Sequence, residues 1–177
     1  MNNIEDAKKA GDLHWLAFLL TGEREISIDI AIEALAAPDD ASPFFAGWMQ
    51  GWSRRIVVAK ALTAVRKELA ESARRTLSAR WDRSGAAPRN WSLDPRTTRV
   101  RLEEALLAID IFPRAAVVLT IFEGVQIADA AVLLDVSVEL LRKAQAIGLR
   151  DLTGNLARKQ PAALPHRGAF RLALATE

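Results

Sequence analysis

The chain has 177 residues, half of them hydrophobic, with 24 Lys and Arg against 22 Asp and Glu and a formal net charge of +2. That length holds one ordinary domain or two small ones, and so even a charge balance neither requires nor excludes a nucleic-acid partner. The absence of cysteine excludes a disulfide framework, a thiol nucleophile and a thiolate zinc site, while the two histidines, His14 and His166, stand at opposite ends of the chain and make a poor start for a metal site.

Ala and Leu dominate, aromatic residues are 6% of the chain, and β-branched runs are short, which predicts an all-α fold. The run Leu13–Leu20 is interrupted by His14, follows acidic residues and is too short to span a bilayer, so no membrane insertion and a cytoplasmic location are expected. Charge is uneven along the chain. Glu5, Asp6, Asp12, Glu23, Glu25, Asp29, Glu33, Asp39 and Asp40 make the first forty residues acidic, and arginines and lysines prevail from Arg54 to Arg101.

In chain order, Ile4–Leu20 reads as a first helix closed by Thr21-Gly22, and a second follows over 25–37, stopped by Pro38. Ser42-Pro43 offers a cap and a first-turn proline for a third. From there Phe45, Trp48, Trp52, Ile56, Ala59, Leu62 and Val65 recur at three and four, predicting one long amphipathic helix to about Ser78 with both tryptophans in the core. Residues 82–95 carry Gly, Pro and Asn without periodicity, as a linker does. Helices are then predicted over 98–109, 113–122, 126–134 and 138–157. The resulting division is a helical module over 1–80, a linker over 81–96, a second helical module over 97–157 and a flexible tail over 158–177.

The segment Gln126–Asp151 reads as a helix-turn-helix. Ala130 and Ala131 permit close helix approach, Asp135 takes the turn position that favours a left-handed backbone, and Ser137 is placed to cap the second helix. Leu140, Leu141 and Leu149 would hold that helix on the core. Arg142, Lys143, Gln145 and Arg150 would then face outward, as phosphate and base contacts do in DNA readers of this type.

The order of these features resembles extracytoplasmic-function sigma factors of RNA polymerase, a family within the sigma-70 group, over roughly residues 10–157. Phe112-Pro113-Arg114 through Phe122-Glu123-Gly124, Ala128–Leu134, Val136-Ser137 and the last helix resemble region 4. Ala17, Leu20–Arg24, Asp29, Glu33, Phe45, Trp48, Arg54-Arg55 and Arg66-Lys67 resemble region 2. The resemblance implies core RNA polymerase as a partner through Asp29 and Glu33, and promoter DNA as another. It places the −10 element on the helix bearing Arg54, Arg55, Lys60, Arg66 and Lys67, and the −35 element on Ser137, Arg142, Lys143, Gln145 and Arg150. An anti-sigma factor is a further expected partner. The chain departs from the family at Ile28 and Ile32, where polar residues are usual, and at Ala144 and Ile147, where cations are. The first reading is a sigma-type transcription initiation factor that binds core polymerase and directs promoter recognition, favoured by the basic helix over 54–67 and the basic segment to Arg89. The departures favour a second, a sigma-like interaction protein that binds a regulator or polymerase without reading DNA. No catalytic constellation, phosphate loop or metal-spaced cluster points to an enzyme or a cofactor; Glu103-Glu104 are adjacent, so their side chains diverge on a helix.

Overall fold

A computed structural model describes the backbone of residues 3–36, 46–79 and 91–158, and the side chains of 5–36, 51–79 and 91–158. The described residues form helices and no strand, so the all-α expectation holds. The helices are α1 (Asn3–Thr21), α2 (Arg24–Ala36), α3 (Ala46–Ala64), α4 (Arg66–Ser78), α5 (Arg99–Leu107), α6 (Ile111–Val117), α7 (Ile127–Leu133) and α8 (Val138–Ala157). The Ser42-Pro43 cap, most of the expected linker and the expected tail from residue 159 lie outside the described residues.

Local chemistry accounts for the helix ends. Gly22 takes a φ of +77° just past α1, and the hydroxyl of Thr21 donates to Ala17 O at 2.9 Å, which ties off the last turn. Thr98 accepts from Arg101 N at the start of α5, and Asp110 accepts from Ile111 N at the start of α6. Pro113 falls in the first turn of α6, where its missing N–H leaves no bond unmade. The neighbouring Phe112 N–H donates to the Ser72 hydroxyl of α4 at 3.1 Å.

The long helix expected to Ser78 is two helices. Val65 leaves helical geometry (φ −106°, ψ 18°), although its N–H still reaches Ala61 O and its carbonyl still receives Leu69 N–H. The apolar stripe continues across the break, because Val58, Ala61, Leu62, Val65, Leu69 and Ala73 are all buried. The expected helix over 113–122 also differs in form. α6 widens over Val118–Phe122 into a π-helical turn, with Glu123 N–H on Val118 O, and Gly124 follows at φ +66°.

α6 is the centre of the molecule. Phe112 through Leu119 are buried on every side, against α1, α4, α5 and α8. A buried Phe or Leu of this kind contributes roughly 1.5–3 kcal/mol over an exposed one. α8 crosses α6 at Gly148, where a Cβ would meet Pro113 O at 2.6 Å. The residues of α1–α4 and those of α5–α8 share one contiguous hydrophobic core.

Candidate functional site

The helix-turn-helix is built as its sequence suggests. α7 ends in a turn in which Val136 N–H bonds Ala131 O and Asp135 N–H bonds Val132 O, the bond pair that closes a helix when the next residue is left-handed. That residue is Asp135, at φ +53°. The Ser137 hydroxyl then accepts from Leu140 N at 3.2 Å and caps α8. Ala130, Ala131, Leu141 and Leu149 are buried, and Leu140 is half-buried against the core.

The outward face of α8 is where expectation and structure part. Arg142 and Arg150 are exposed, and Arg150 lies beside Asp151 at 3.1 Å. Lys143 instead reaches α4. Its Nζ donates to Leu77 O at 2.9 Å and Ala79 O at 2.8 Å, carbonyls at the C-terminal end of that helix, where a cation also meets the negative end of the helix dipole. Gln145 Nε2 donates to the Thr120 hydroxyl at 2.8 Å, and that hydroxyl donates to Ala116 O. Ala144 is fully buried and Ile147 half-buried. Lys143 and Gln145 therefore do not form the free reading surface expected of them, because packing against α4 and the π-helical turn turns that side of α8 inward. The apolar residues at 144 and 147 suit this placement.

The basic residues of α3 and α4 divide in the same way. Arg54 is bound by Glu123: Nε donates to Oε2 at 2.7 Å and Nη2 to Oε1. This hydrogen bond raises the guanidinium pKa above its ordinary value, against the opposing effect of partial burial. Lys60 pairs with Glu33. Arg66 and Lys67 are exposed. Trp52, expected in the core, is 53% exposed, because α3 turns Ser53, Val57 and Val58 inward there instead; the Trp48 side chain lies outside the described residues.

α2 turns Ser27, Ile30, Ala31 and Ala34 inward. Its outer side carries Ile28 (44% exposed), Ile32 (59%) and Leu35 (41%) beside the carboxylates of Glu25, Asp29 and Glu33. Ile28, Ile32 and Leu35 are four and three residues apart, so they form one stripe on the helix. Exposed apolar residues in a row, edged by acid, are the pattern of a contact surface.

Several groups had no sequence signal. Arg75 makes a two-bonded pair with Asp110, and Arg99 bonds Asp12 and lies 4.6 Å over the Trp15 ring. Burial pushes the Asp110 carboxyl up, but hydrogen bonds from Arg75, Ser72 and the Ile111 N–H outweigh it and hold the carboxyl below its ordinary range. Arg114 is 6% exposed. Its Nη1 is 3.4 Å from Leu107 O and 3.5 Å from Ile109 O, its Nε has no partner, and Gly22 leaves room for its Nη2. Burial lowers the Arg114 pKa, with the charge of Asp110 opposing.

A cleft of about 670 Å³ opens between α3–α4 and the α7 turn, lined by Leu62, Leu69, Leu133 and Val136 with Arg66 and Asp135. Among the described residues no cluster of His, Asp or Glu is placed to hold a metal, and no helix is long and apolar enough to cross a membrane. None of the family models, curated proteins or solved structures compared with this chain matches it.

Proposed function

We propose that the protein is a sigma-factor-like interaction protein that docks on a protein partner through the acidic, apolar face of α2 and does not read duplex DNA through α8 in its closed arrangement. The observation that carries this reading is the coverage of α8: Lys143 is bonded to the end of α4 and Gln145 to Thr120, so these two side chains are not offered to a major groove. Core RNA polymerase is the partner that the resemblance to sigma factors names, and it is the first to test. Purified protein is expected to co-elute with core polymerase. Ile28→Asp combined with Ile32→Asp is expected to abolish that association while leaving thermal unfolding unchanged, since both side chains are exposed. Failure of the parent protein to bind core polymerase would remove that partner from the proposal.

A second reading, a promoter-directing initiation factor, is favoured by the exposed cations Arg66, Lys67, Arg142 and Arg150. It requires α8 to be uncovered on the polymerase. Promoter-dependent transcription by the assembled complex, and its loss with Arg66→Ala and Lys67→Ala, separates it from the first reading.

A further inference from the structure

The cleft between α3–α4 and the end of α7 is apolar and open. The buried side chains of Leu62 and Leu69 line it from α3 and α4, while the end of α7 contributes Val132, 80% exposed, and Leu133, 47% exposed. Single exposed aliphatic side chains are ordinary on a protein surface, but these two continue an apolar hollow of about 670 Å³. The charged residues of the lining are one cation and one anion, Arg66 and Asp135. Both are exposed, and among the described residues neither side chain is held by an ion pair or a hydrogen bond. One surface thus combines a hollow, an apolar projection beside it, and two opposite charges that leave each other unpaired.

From this arrangement we infer that the cleft is a self-association surface, and that its occupant is a second copy of the chain related by a two-fold axis. A two-fold pairing makes every contact twice, residue i on j and j on i. The α7 end of each protomer enters the cleft of the other, and Arg66 of each copy faces Asp135 of the other. Charge selects this occupant. A lining with one cation and one anion gives no net attraction to a polyanion or to a strongly acidic or basic segment. A second copy supplies an anion for the cation and a cation for the anion. The driving force is apolar, since water leaves both the projection and the hollow. The contact belongs to the small, transient class of interfaces. It does not use α2, and it is tested without polymerase or DNA, so it stands or falls apart from the docking proposed for α2.

Sedimentation of the purified chain is measured at protomer concentrations from about 1 μM to about 1 mM, the range a small interface requires. The parent is expected to pass from monomer to dimer and to stop there. A monomer throughout overturns the inference and leaves the cleft to an occupant of another kind. Mass that keeps growing beyond the dimer overturns the two-fold, in favour of a head-to-tail contact that does not close. Val132→Lys is expected to weaken dimerisation at least about tenfold, while the protomer stays folded, because a cation suits the last turn of a helix. Unchanged dimerisation of that variant overturns the assignment of the surface.

The charge pairing has its own test. Arg66→Glu alone sets Glu against Asp135 at both contacts of a dimer, and Asp135→Lys alone sets Lys against Arg66. Each variant is expected to dimerise at least about tenfold more weakly than the parent. A mixture of the two restores opposite charges at both contacts and is expected to regain the parental affinity as a mixed dimer. A mixture that associates no better than either variant overturns the two-fold pairing. Should Asp135→Lys not fold in its left-handed turn, Asp135→Asn keeps that backbone. About fivefold weaker dimerisation of Asp135→Asn then supports the pairing, and an unchanged dimer overturns it.

Discussion

The backbone of Gly148 lies against Pro113 so closely that a Cβ would sit 2.6 Å from the proline carbonyl oxygen and 2.7 Å from Val117 Cγ2. The crossing of α8 over α6 is therefore set by the absence of one carbon atom. Gly148→Ala is expected to lower stability by about 1–3 kcal/mol, because the clash is with backbone and outweighs the helix propensity that alanine adds. Gly154→Ala, in the same helix with nothing within 4 Å of the added Cβ, is expected to raise stability by about 0.5–1 kcal/mol. Urea unfolding of the two variants gives opposite signs if the crossing is as described.

Arg54 and Glu123 stand 69 residues apart and make a two-bonded pair in which the Glu123 side chain is 11% exposed. A double-mutant cycle with Arg54→Ala and Glu123→Ala is expected to give a coupling of about 1 kcal/mol at low salt, discounted for the partial exposure of the arginine. Raising the salt should shrink the coupling. A coupling of zero at low salt would mean that the pair does not help hold α3 against the turn at Glu123.

Asp110 has a pKa held below its ordinary value of 3.8. A carboxyl whose pKa is lower in the folded than in the unfolded state adds stability above the ordinary value, and that stability disappears as pH falls through the lowered one. The parent protein is expected to lose stability below about pH 4 more steeply than Asp110→Asn, with the two curves converging in strong acid. Thermal unfolding from pH 7 down to pH 2 measures the difference; parallel curves would show that the carboxyl gains nothing from Arg75, Ser72 and the Ile111 amide.

Asp135 holds the turn between α7 and α8 at φ +53°. Asp135→Gly removes the cost of a side chain in the left-handed region and is expected to be neutral or stabilising by up to about 1 kcal/mol, whereas Asp135→Val is expected to cost about 1–2 kcal/mol. If valine is tolerated as well as aspartate, the turn is not conformationally demanding.

Much of the fold was legible before the structure, because helix ends are decided by residues close in sequence. Thr21-Gly22, Ser137 and Asp135 each act within a few residues of themselves, and each does in the structure what its chemistry predicts. The single helix expected to Ser78 is two helices for a related reason: its apolar stripe continues unbroken through Val65, so periodicity alone carries no sign of the break. The core position expected for Trp52 followed from the same stripe, and exposure depends on what other helices cover.

The candidate site was the least legible part. The side chains of Lys143 and Gln145 lie on an amphipathic helix whose polar residues read as a solvent face, and nothing local tells that α4 ends against that face. Glu123 looked like the end of a helix, with no mark of a partner 69 residues earlier. The sequence by itself determined the all-α class, the caps and the framework of the helix-turn-helix, since these rest on backbone hydrogen bonds and short-range periodicity. Only the tertiary structure decided which cations remain open to solvent and which are held by Glu123, Asp110 and the carbonyls of α4, because a charge's partner is chosen by distance in space and not by position along the chain.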